Sequence, residues 1–381
     1  MNNNTDEIAF KLESIHSSLV SIRNVLENKG LKLPAQLSKW ADELEHSNIS
    51  ESIIHVAPSS TTEDHNTTAP VVLDISDYAY SSIGGSAGRW PQYWPIEKVE
   101  GGENVTSLGS YAFRGCSSLK DISSFYNVTS LGSYAFNDCS SLEDVSSLTK
   151  VTSIDGYAFN SCSSLKDVSS LTKVTSIGFR ALSGCSSLEA IPSFYNVTSI
   201  GSYAFSSCSL LKDISSFYNV TSIDSYAFSG CSSLKDISSL TNVTSIGRGA
   251  FSDCKSLEDA TVFGTVEQPF PPRVFSECTK LEKVSTGAPS LGNYSSTENN
   301  SPFYGISLSL KEIHLTSQYV VALDPAPASG SLPKCFEYGS LSNANVIVPN
   351  SQISNYTSHA HWSEMRSAGR LFSKAEWAMM N

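Results

Sequence analysis

The stretch that decides the fold is Val197-Thr-Ser-Ile-Gly-Ser-Tyr-Ala-Phe-Ser-Ser-Cys-Ser-Leu-Leu-Lys-Asp-Ile-Ser-Ser-Phe-Tyr-Asn219, because it recurs along the chain with small changes. Its Val-Thr-Ser start returns every 23 residues, at Val105, Val128, Val151, Val174, Val197, Val220 and Val243. Seven copies in a row predict a solenoid, in which each copy forms one coil stacked on the next.

The apolar residues of one copy recur about every three or four positions, which suits a coil with its side chains turned inward. One copy carries Val128, Leu131, Ala135, Phe136, Cys139, Leu142, Val145 and Leu148. No single coil can bury this set, so neighbouring coils must share it. Val-Thr-Ser-Ile and Leu-Lys-Asp-Ile predict two short strands per coil, and Ala-Phe-x-x-Cys predicts a turn of helix. The fold class is therefore an α+β repeat, a leucine-rich-repeat-like solenoid.

The cysteines follow the same period. Seven are spaced 23 residues apart and an eighth follows after 24, at Cys116, Cys139, Cys162, Cys185, Cys208, Cys231, Cys254 and Cys278. A thiol is a small, buriable hydrophobic group, so we expect a reduced internal column. Disulfides between stacked neighbours are a less favoured alternative. A metal site is not expected, since no Cys-x-x-Cys or Cys/His cluster occurs.

The repeat resembles the BspA-like leucine-rich repeats of type 5. The resemblance is carried, for example, by Ile200-Gly201, Ala204-Phe205, Cys208, Leu211 and Ile214, and extends over roughly residues 101–285 with a degenerate return at 309–313. It implies a surface-exposed adhesion or recognition protein of bacteria, some protists or their viruses. The Pro usual after the strand is mostly Ser here and survives only at Pro192.

The N-terminal segment has apolar residues spaced 4-3-4-3-4. They are Ile8, Leu12, Ile15, Leu19, Ile22 and Leu26. This is the seam of a coiled coil, and Leu alternating with Ile favours a trimer over a dimer. An intramolecular helical hairpin is an equal alternative. The segment also resembles a helical motif of phage tail and fibre proteins, which implies a virion component.

These patterns predict five regions. They are a helical anchor at 1–47, a linker at 48–70, an N-terminal solenoid cap at 71–104, the repeats at 105–285, and a loop insertion, degenerate repeat and C-terminal cap at 286–381. Asn345-Val346-Ile347-Val348 predicts a strand of that last cap, followed by a helical stretch through Tyr356 and Trp362.

Composition narrows the function classes. The chain has a formal net charge of −12, and charged residues make up only 16% of it. An acidic chain is a poor partner for nucleic acid or for anionic lipid, so neither is expected. No apolar run is long enough to span a membrane, and the polar start lacks the features of a secretory signal.

No enzyme activity and no cofactor are expected. The run Gly84–Gly88 matches the Gly-x-Ser-x-Gly nucleophile motif, but Arg-Trp-Pro follows it instead of a helix. His359 and His361 could share a metal, but a third ligand is missing. The Asn-x-Thr tripeptides that begin at Asn104, Asn127, Asn196, Asn219 and Asn242 are read as turn chemistry.

Candidate binding residues are aromatic. One column holds Tyr111, Tyr134, Tyr157, Tyr203 and Tyr226 and is interrupted at Arg180 and Gly249. We expect it to pack against neighbouring coils, with recognition as the alternative. A second column holds Tyr126, Tyr195 and Tyr218, alternates with Thr, and is expected to be exposed. Trp90 and Trp94 either form a platform or plug the solenoid mouth.

The leading hypothesis is a non-enzymatic phage virion component, a tail or head fibre that presents the solenoid to a host protein or glycan. Its partners would be other virion proteins or host surface molecules, and the N-terminal helix would make it a homo-oligomer. The alternative is a bacterial cell-surface adhesin of the BspA-like type.

Overall fold

The computed structural model describes part of the chain. The described residues are 71–75, 82–83, 96–191, 193–263, 271–287, 290–293, 302–306, 309–316, 322–324, 344–358 and 360–380. The chain divides into two compact units, Met1–Val56 and Ala57–Asn381, and every described residue belongs to the second. The predicted N-terminal seam from Ile8 to Leu26 and the linker lie outside the described residues, and the five predicted region boundaries stay predictions.

The first strand of each repeat is very short. They are β2 (Ser82–Ile83), β4 (Ser107–Leu108), β5 (Ser130–Leu131), β6 (Ser153–Ile154), β7 (Ser176–Ile177), β8 (Ser199–Ile200), β9 (Ser222–Ile223) and β10 (Ser245–Ile246). Two longer strands, β1 (Val71–Asp74) and β3 (Ile96–Glu100), lie instead at the second strand position, since Lys98 of β3 bridges to Asp121. Strands β2 and β4–β10 form one parallel eight-stranded sheet, and β1 pairs with β3 separately. Ser pairs with Ser and Ile with Ile, as at Ile200 and Ile223, so the 23-residue period sets the register.

The second predicted strand is wrong for most coils. Single bridges replace it, such as Asp144 to Asp167 and Ala190 to Asp213. The reason is local: the carboxylate of Asp144 accepts a hydrogen bond from the backbone N–H of Ser146 at 2.7 Å, which turns the chain out of the extended conformation.

True strands occupy this second position only near the two ends of the described repeats, as β1 and β3 on the N-terminal side and as five strands towards the C-terminus. The five are β11 (Asp259–Ala260), β12 (Lys283–Thr286), β14 (Glu312–Leu315), β16 (Asn345–Val348) and β17 (Leu371–Ser373), which form a parallel sheet in that order. A further pair joins β13 (Ser290–Asn293) to β15 (Ala322–Asp324). The predicted strand of the C-terminal cap is thus confirmed as β16.

The predicted helical turn at Ala-Phe-x-x-Cys is also wrong. Two residues in this part of the coil take left-handed backbone conformations, for example Tyr134 and Asp138, each with φ of 62°. The stretch is therefore a series of turns. Its N–H groups alternate between two kinds of partner: Phe136 N–H donates to the Ala158 carbonyl of the next coil at 2.7 Å, whereas Asn137 N–H donates to the Tyr134 carbonyl three residues back.

The core is a set of buried columns along the solenoid. Phenylalanine rings stack from coil to coil, with centroids 5.4 Å apart for Phe205 and Phe228 and 5.3 Å for Phe228 and Phe251. The predicted cysteine column is confirmed, because eight cysteines are buried and free. Each thiol from the second one onward donates to a Phe or Leu carbonyl, as Cys139 does to Phe113 at 3.1 Å. The column therefore fills space and satisfies backbone acceptors at once.

The C-terminal cap contains α1 (Ile353–Ser358), α2 (Ala360–Ser367) and α3 (Lys374–Met380). Tyr356 and Trp362 are buried, with ring centroids 5.4 Å apart in an edge-on arrangement, as expected for the predicted helical stretch. None of the described helices has the length and apolar content that crossing a bilayer requires.

Candidate functional site

Aromatic rings form a column just after the carboxyl ends of the strands. This stacked column consists of Tyr111, Tyr134, Tyr157, Phe179, Tyr203 and Tyr226. Its rings lie nearly parallel where Tyr follows Tyr, with centroids 4.8 Å apart for Tyr111 and Tyr134 and 4.4 Å for Tyr134 and Tyr157. The rings therefore cover each other's faces.

The predicted interruption at Arg180 is bridged. Phe179, one residue earlier in the coil, places its ring 5.3 Å from Tyr157 and 5.9 Å from Tyr203 in edge-on contacts. The Arg180 guanidinium lies over the Tyr203 ring at 4.6 Å. Arg114 similarly lies 5.6 Å from the rings of both Tyr111 and Tyr134. The aromatic column is thus continuous from Tyr111 to Tyr226, and the guanidinium groups of Arg114 and Arg180 lie against its rings.

The stacked column serves packing. Its tyrosines have positive φ, such as 61° at Tyr157, and are only partly exposed. The pKa of Tyr134 is raised, first because burial removes water from the phenol and second because the phenol of Tyr157 is adjacent. The column ends at Gly249, where a side chain would collide with the Tyr226 ring. These contacts stiffen the stack and cover much of the tyrosine rings, whereas Phe179 is 44% exposed.

A second column lies just before the strands, at their amino ends. This exposed column consists of Tyr126, Thr149, Thr172, Tyr195, Tyr218 and Thr241. Its three tyrosines are 47%, 45% and 46% exposed, which places them among the most accessible large side chains described. Tyr195 and Tyr218 tilt by 36° with centroids 5.9 Å apart, so they overlap less than the stacked rings do. The expected exposure of this column is confirmed.

Each Asn that follows a member of the exposed column joins neighbouring coils. The Nδ2 of Asn219 donates to the Tyr195 carbonyl at 2.8 Å, and the Nδ2 of Asn242 donates to the Tyr218 carbonyl at 2.7 Å. The side-chain amides of these two Asn-x-Thr tripeptides thus hold the backbone of Tyr195 and Tyr218 in place. Lys150 and Lys173 take the same position in two coils, and both are exposed.

Between the two columns runs a polar strand face. The hydroxyl of Thr129 donates to the Thr106 carbonyl at 3.1 Å, and that of Thr221 donates to the Thr198 carbonyl at 3.2 Å. The threonine hydroxyls of this ladder therefore donate hydrogen bonds from one coil to the preceding one. The ladder stabilises the sheet.

Sequence reasoning missed a pattern that links core and surface. At the exposed column the chain reads Phe-Tyr-Asn at 125–127, 194–196 and 217–219, Leu-Thr-Lys at 148–150 and 171–173, and Leu-Thr-Asn at 240–242. The inner Phe or Leu is buried in all three forms. Tyr therefore always follows a buried Phe, and Thr always follows a buried Leu, a covariation visible in the sequence once the coil register is known.

The other candidate residues fall outside this picture. Trp90, Trp94, the run Gly84–Gly88 and His359 lie outside the described residues, and the side chain of His361 is not described either. Within the described parts of the chain, no group of three or more His, Cys, Asp or Glu residues is arranged to hold a metal ion.

A rigid parallel solenoid with its distinctive side chains in repeated surface columns defines a leucine-rich-repeat scaffold, a class that in general binds and does not catalyse. The family model described as BspA type Leucine rich repeat region matches residues 92–212 and 198–321, in six copies. The chain belongs to this family of BspA-type leucine-rich-repeat proteins.

Solved structures of related architecture also match. A leucine rich cell surface protein from Faecalibacterium prausnitzii is 21% identical, with a TM-score of 0.32, over 76% of this chain and 85% of that one. The leucine-rich-repeat protein of T. pallidum is 25% identical, with a TM-score of 0.34, over 49% and 82%. The pneumococcal vaccine antigen PcpA is 15% identical, with a TM-score of 0.32, over 76% and 82%. No curated protein matches the chain.

Proposed function

We propose that this protein is a non-enzymatic recognition or adhesion protein of the bacterial cell surface, and that it contacts its partner through the exposed column. Membership of the BspA-type family supports the surface role. The rigid stack of coils supports the binding role, because it holds side chains in a fixed order without the entropy cost of ordering loops.

The observation that carries the proposal is the composition of the exposed column. Thr149, Thr172 and Thr241 show that this position packs equally well with a small residue. The fold therefore does not require the rings of Tyr126, Tyr195 and Tyr218. Accessible Tyr on a rigid backbone supplies large contact area at little entropic cost, which is why binding surfaces favour it.

The hypothesis of a virion fibre has no support among the described residues. It depends on the N-terminal motif, and that motif lies outside them. The alternative that we stated from sequence, a bacterial surface adhesin, is the one that agrees with the family.

The test is a binding screen of the full chain against arrays of glycans and of extracellular proteins. A triple variant, Tyr126→Thr, Tyr195→Thr and Tyr218→Thr, installs the residue that other coils already use. We expect it to lose at least about tenfold in affinity for any array partner of the wild-type protein, because three accessible rings are removed.

The control is Leu210→Ser. Leu210 is 43% exposed, and the equivalent residue in the preceding coil is Ser187, so this change also removes accessible apolar surface without disturbing the repeat. The proposal predicts unchanged binding for this control. Equal losses in both variants, or full binding by the triple variant, would contradict it.

A further inference from the structure

The tyrosines of the exposed column are unevenly spaced, and the spacing creates a slot. Tyr126 and Tyr195 stand three coils apart, with only Thr149 and Thr172 between them. Adjacent parallel strands lie about 4.8 Å apart, so the two tyrosines are separated by roughly 14 Å. We call the region between them the Tyr–Thr–Thr–Tyr slot. It is long enough for a short oligosaccharide.

One wall of the slot is an open ring face. Tyr195 overlaps Tyr218 on one side, at 5.9 Å, and has a coil carrying Thr172 on the other. A threonine is too short to cover a phenol ring, which agrees with the 45% exposure of Tyr195. An uncovered aromatic face of this kind stacks well on the apolar face of a pyranose ring. Thr149 and Thr172, both exposed residues, line the floor.

The floor of the slot also carries positive charge. Lys150 and Lys173 replace the Asn of the other coils at the two central positions. The ammonium group of Lys150 donates to the Asn127 Oδ1 at 2.5 Å, which uses one of its three protons and fixes its direction. Its remaining protons are available to a ligand.

The two lysines of the slot are not paired with described carboxylates, because no ion pair among the described residues includes Lys150 or Lys173. The carboxylates of Asp144 and Asp167, in the same coils, keep their charge but accept hydrogen bonds from Ser146 and Ser169, at 2.7 and 2.8 Å in each case. Both ammonium groups are therefore available to pair with an anionic ligand.

We propose that the Tyr–Thr–Thr–Tyr slot binds a carboxylate-bearing saccharide, an inference that rests on the recognition role proposed above. The ring of Tyr195 stacks on a pyranose, the threonine hydroxyls bond its hydroxyls, and Lys150 and Lys173 pair with its carboxylates. A peptide of Asp and Glu could satisfy the two lysines, but it has no apolar ring face to place on the tyrosine.

The experiment is calorimetric titration of the full chain at near-physiological ionic strength with matched probes. A short oligogalacturonate is compared with its methyl ester, sialyllactose with lactose, and a glutamate hexapeptide is included as the acidic peptide. We expect at least one acidic saccharide to bind at least about tenfold more tightly than its neutral partner and than the peptide.

The variant that isolates the charge is Lys150→Asn with Lys173→Asn, which restores the Asn of the other coils. It should lower affinity for the acidic saccharide by about tenfold or more and leave the neutral partner unchanged. The control, Lys235→Gln with Lys255→Ser, removes the same charge from exposed positions outside the slot. It should change affinity by less than about twofold, because screening weakens distant charges.

Any of four results would overturn the proposed ligand of the slot. Neither acidic saccharide binds, the acidic and neutral partners bind equally, both lysine variants lose equal affinity, or the peptide binds more tightly than the saccharides. The recognition role has its own outcome. If the triple Tyr→Thr variant loses its array partners while no acidic saccharide binds, the exposed column stands and only the slot's ligand class fails. If that variant keeps its array partners, the proposed function itself fails.

Discussion

Replacing Tyr157 in the stacked column tests whether this column is structural. The ring of Tyr157 contacts Tyr134 at 4.4 Å and Phe179 at 5.3 Å. Each aromatic pair contributes about 0.5–1.5 kcal/mol, so Tyr157→Ala should lower the free energy of unfolding by about 1–3 kcal/mol.

Glycine at the same site should be less damaging than alanine. The backbone of Tyr157 has φ of 61°, a left-handed conformation that costs a residue with a Cβ about 1–2 kcal/mol. Glycine avoids this cost but gives up about 0.5–1 kcal/mol in chain entropy. Tyr157→Gly should therefore be more stable than Tyr157→Ala by about 0.5–1 kcal/mol.

The assay is urea unfolding of the full chain, with hydrogen exchange to locate the opening coils, because solenoids can unfold in parts. Tyr218→Thr in the exposed column is the matched comparison and should cost about 0.5–1.5 kcal/mol, because Tyr218 loses a single aromatic pair, with Tyr195. The reasoning is refuted if glycine is as damaging as alanine, or if Tyr218→Thr costs more than Tyr157→Ala.

Three further predictions concern the core, the coil contacts and the cap. Burial raises the pKa of the column thiols, to about 12 at Cys208. Labelling of the native protein at pH 8 should therefore be slow for all eight column thiols and should accelerate only with denaturant. Fast labelling of several thiols in the native protein would contradict this. A Cβ on Gly201 would lie 2.8 Å from backbone atoms of the preceding coil, whereas one on Gly156 would lie 3.4 Å from its nearest neighbour. In urea unfolding, Gly201→Ala should therefore cost about 1–3 kcal/mol and Gly156→Ala less than about 1 kcal/mol; equal costs would refute this clash argument. The hydrogen bond from Arg366 lowers the pKa of Glu376 to about 2. The stability that this pair contributes is therefore present above the ordinary glutamate pKa and is lost as the pH falls from about 4.5 towards 2. Glu376→Gln should remove that part of the pH dependence of cap unfolding, and an unchanged dependence would show that the pair does not act there.

The stacking of coils could be predicted from sequence because the 23-residue period fixes which residues of neighbouring coils lie against each other. Once Val-Thr-Ser returns every 23 residues, the register of the sheet and the burial of the cysteine column follow from geometry. Burial of Cys139 needed no knowledge of its partner, since every coil must place the same residue against the same neighbour.

The local backbone could not be predicted in the same way. Tyr134 is not a residue that sequence reasoning places at positive φ, so the sequence favours a helical turn where the structure has left-handed turns. Every second hydrogen bond of these turns runs between coils, as from Phe136 to Ala158, and propensity within one coil carries no information on those bonds.

The functional columns were only partly predictable. The exposure of Tyr195 follows from its alternation with Thr, which signals that packing can spare the ring. The place of Phe179 in the stacked column does not follow, because its ring enters from one residue earlier in the coil. The pairing of Thr149 with Lys150 becomes informative only after coils are aligned in space.

The most direct test of the central claim is a hydrogen-exchange footprint of the full chain, saturated with its tightest partner from the arrays. We predict slower amide exchange at the amino ends of the strands, where the exposed column lies. The protected segments should be 126–127, 149–150, 172–173, 195–196 and 218–219. Protection confined to the stacked column or to the C-terminal cap would contradict the claim that the exposed column is the binding surface.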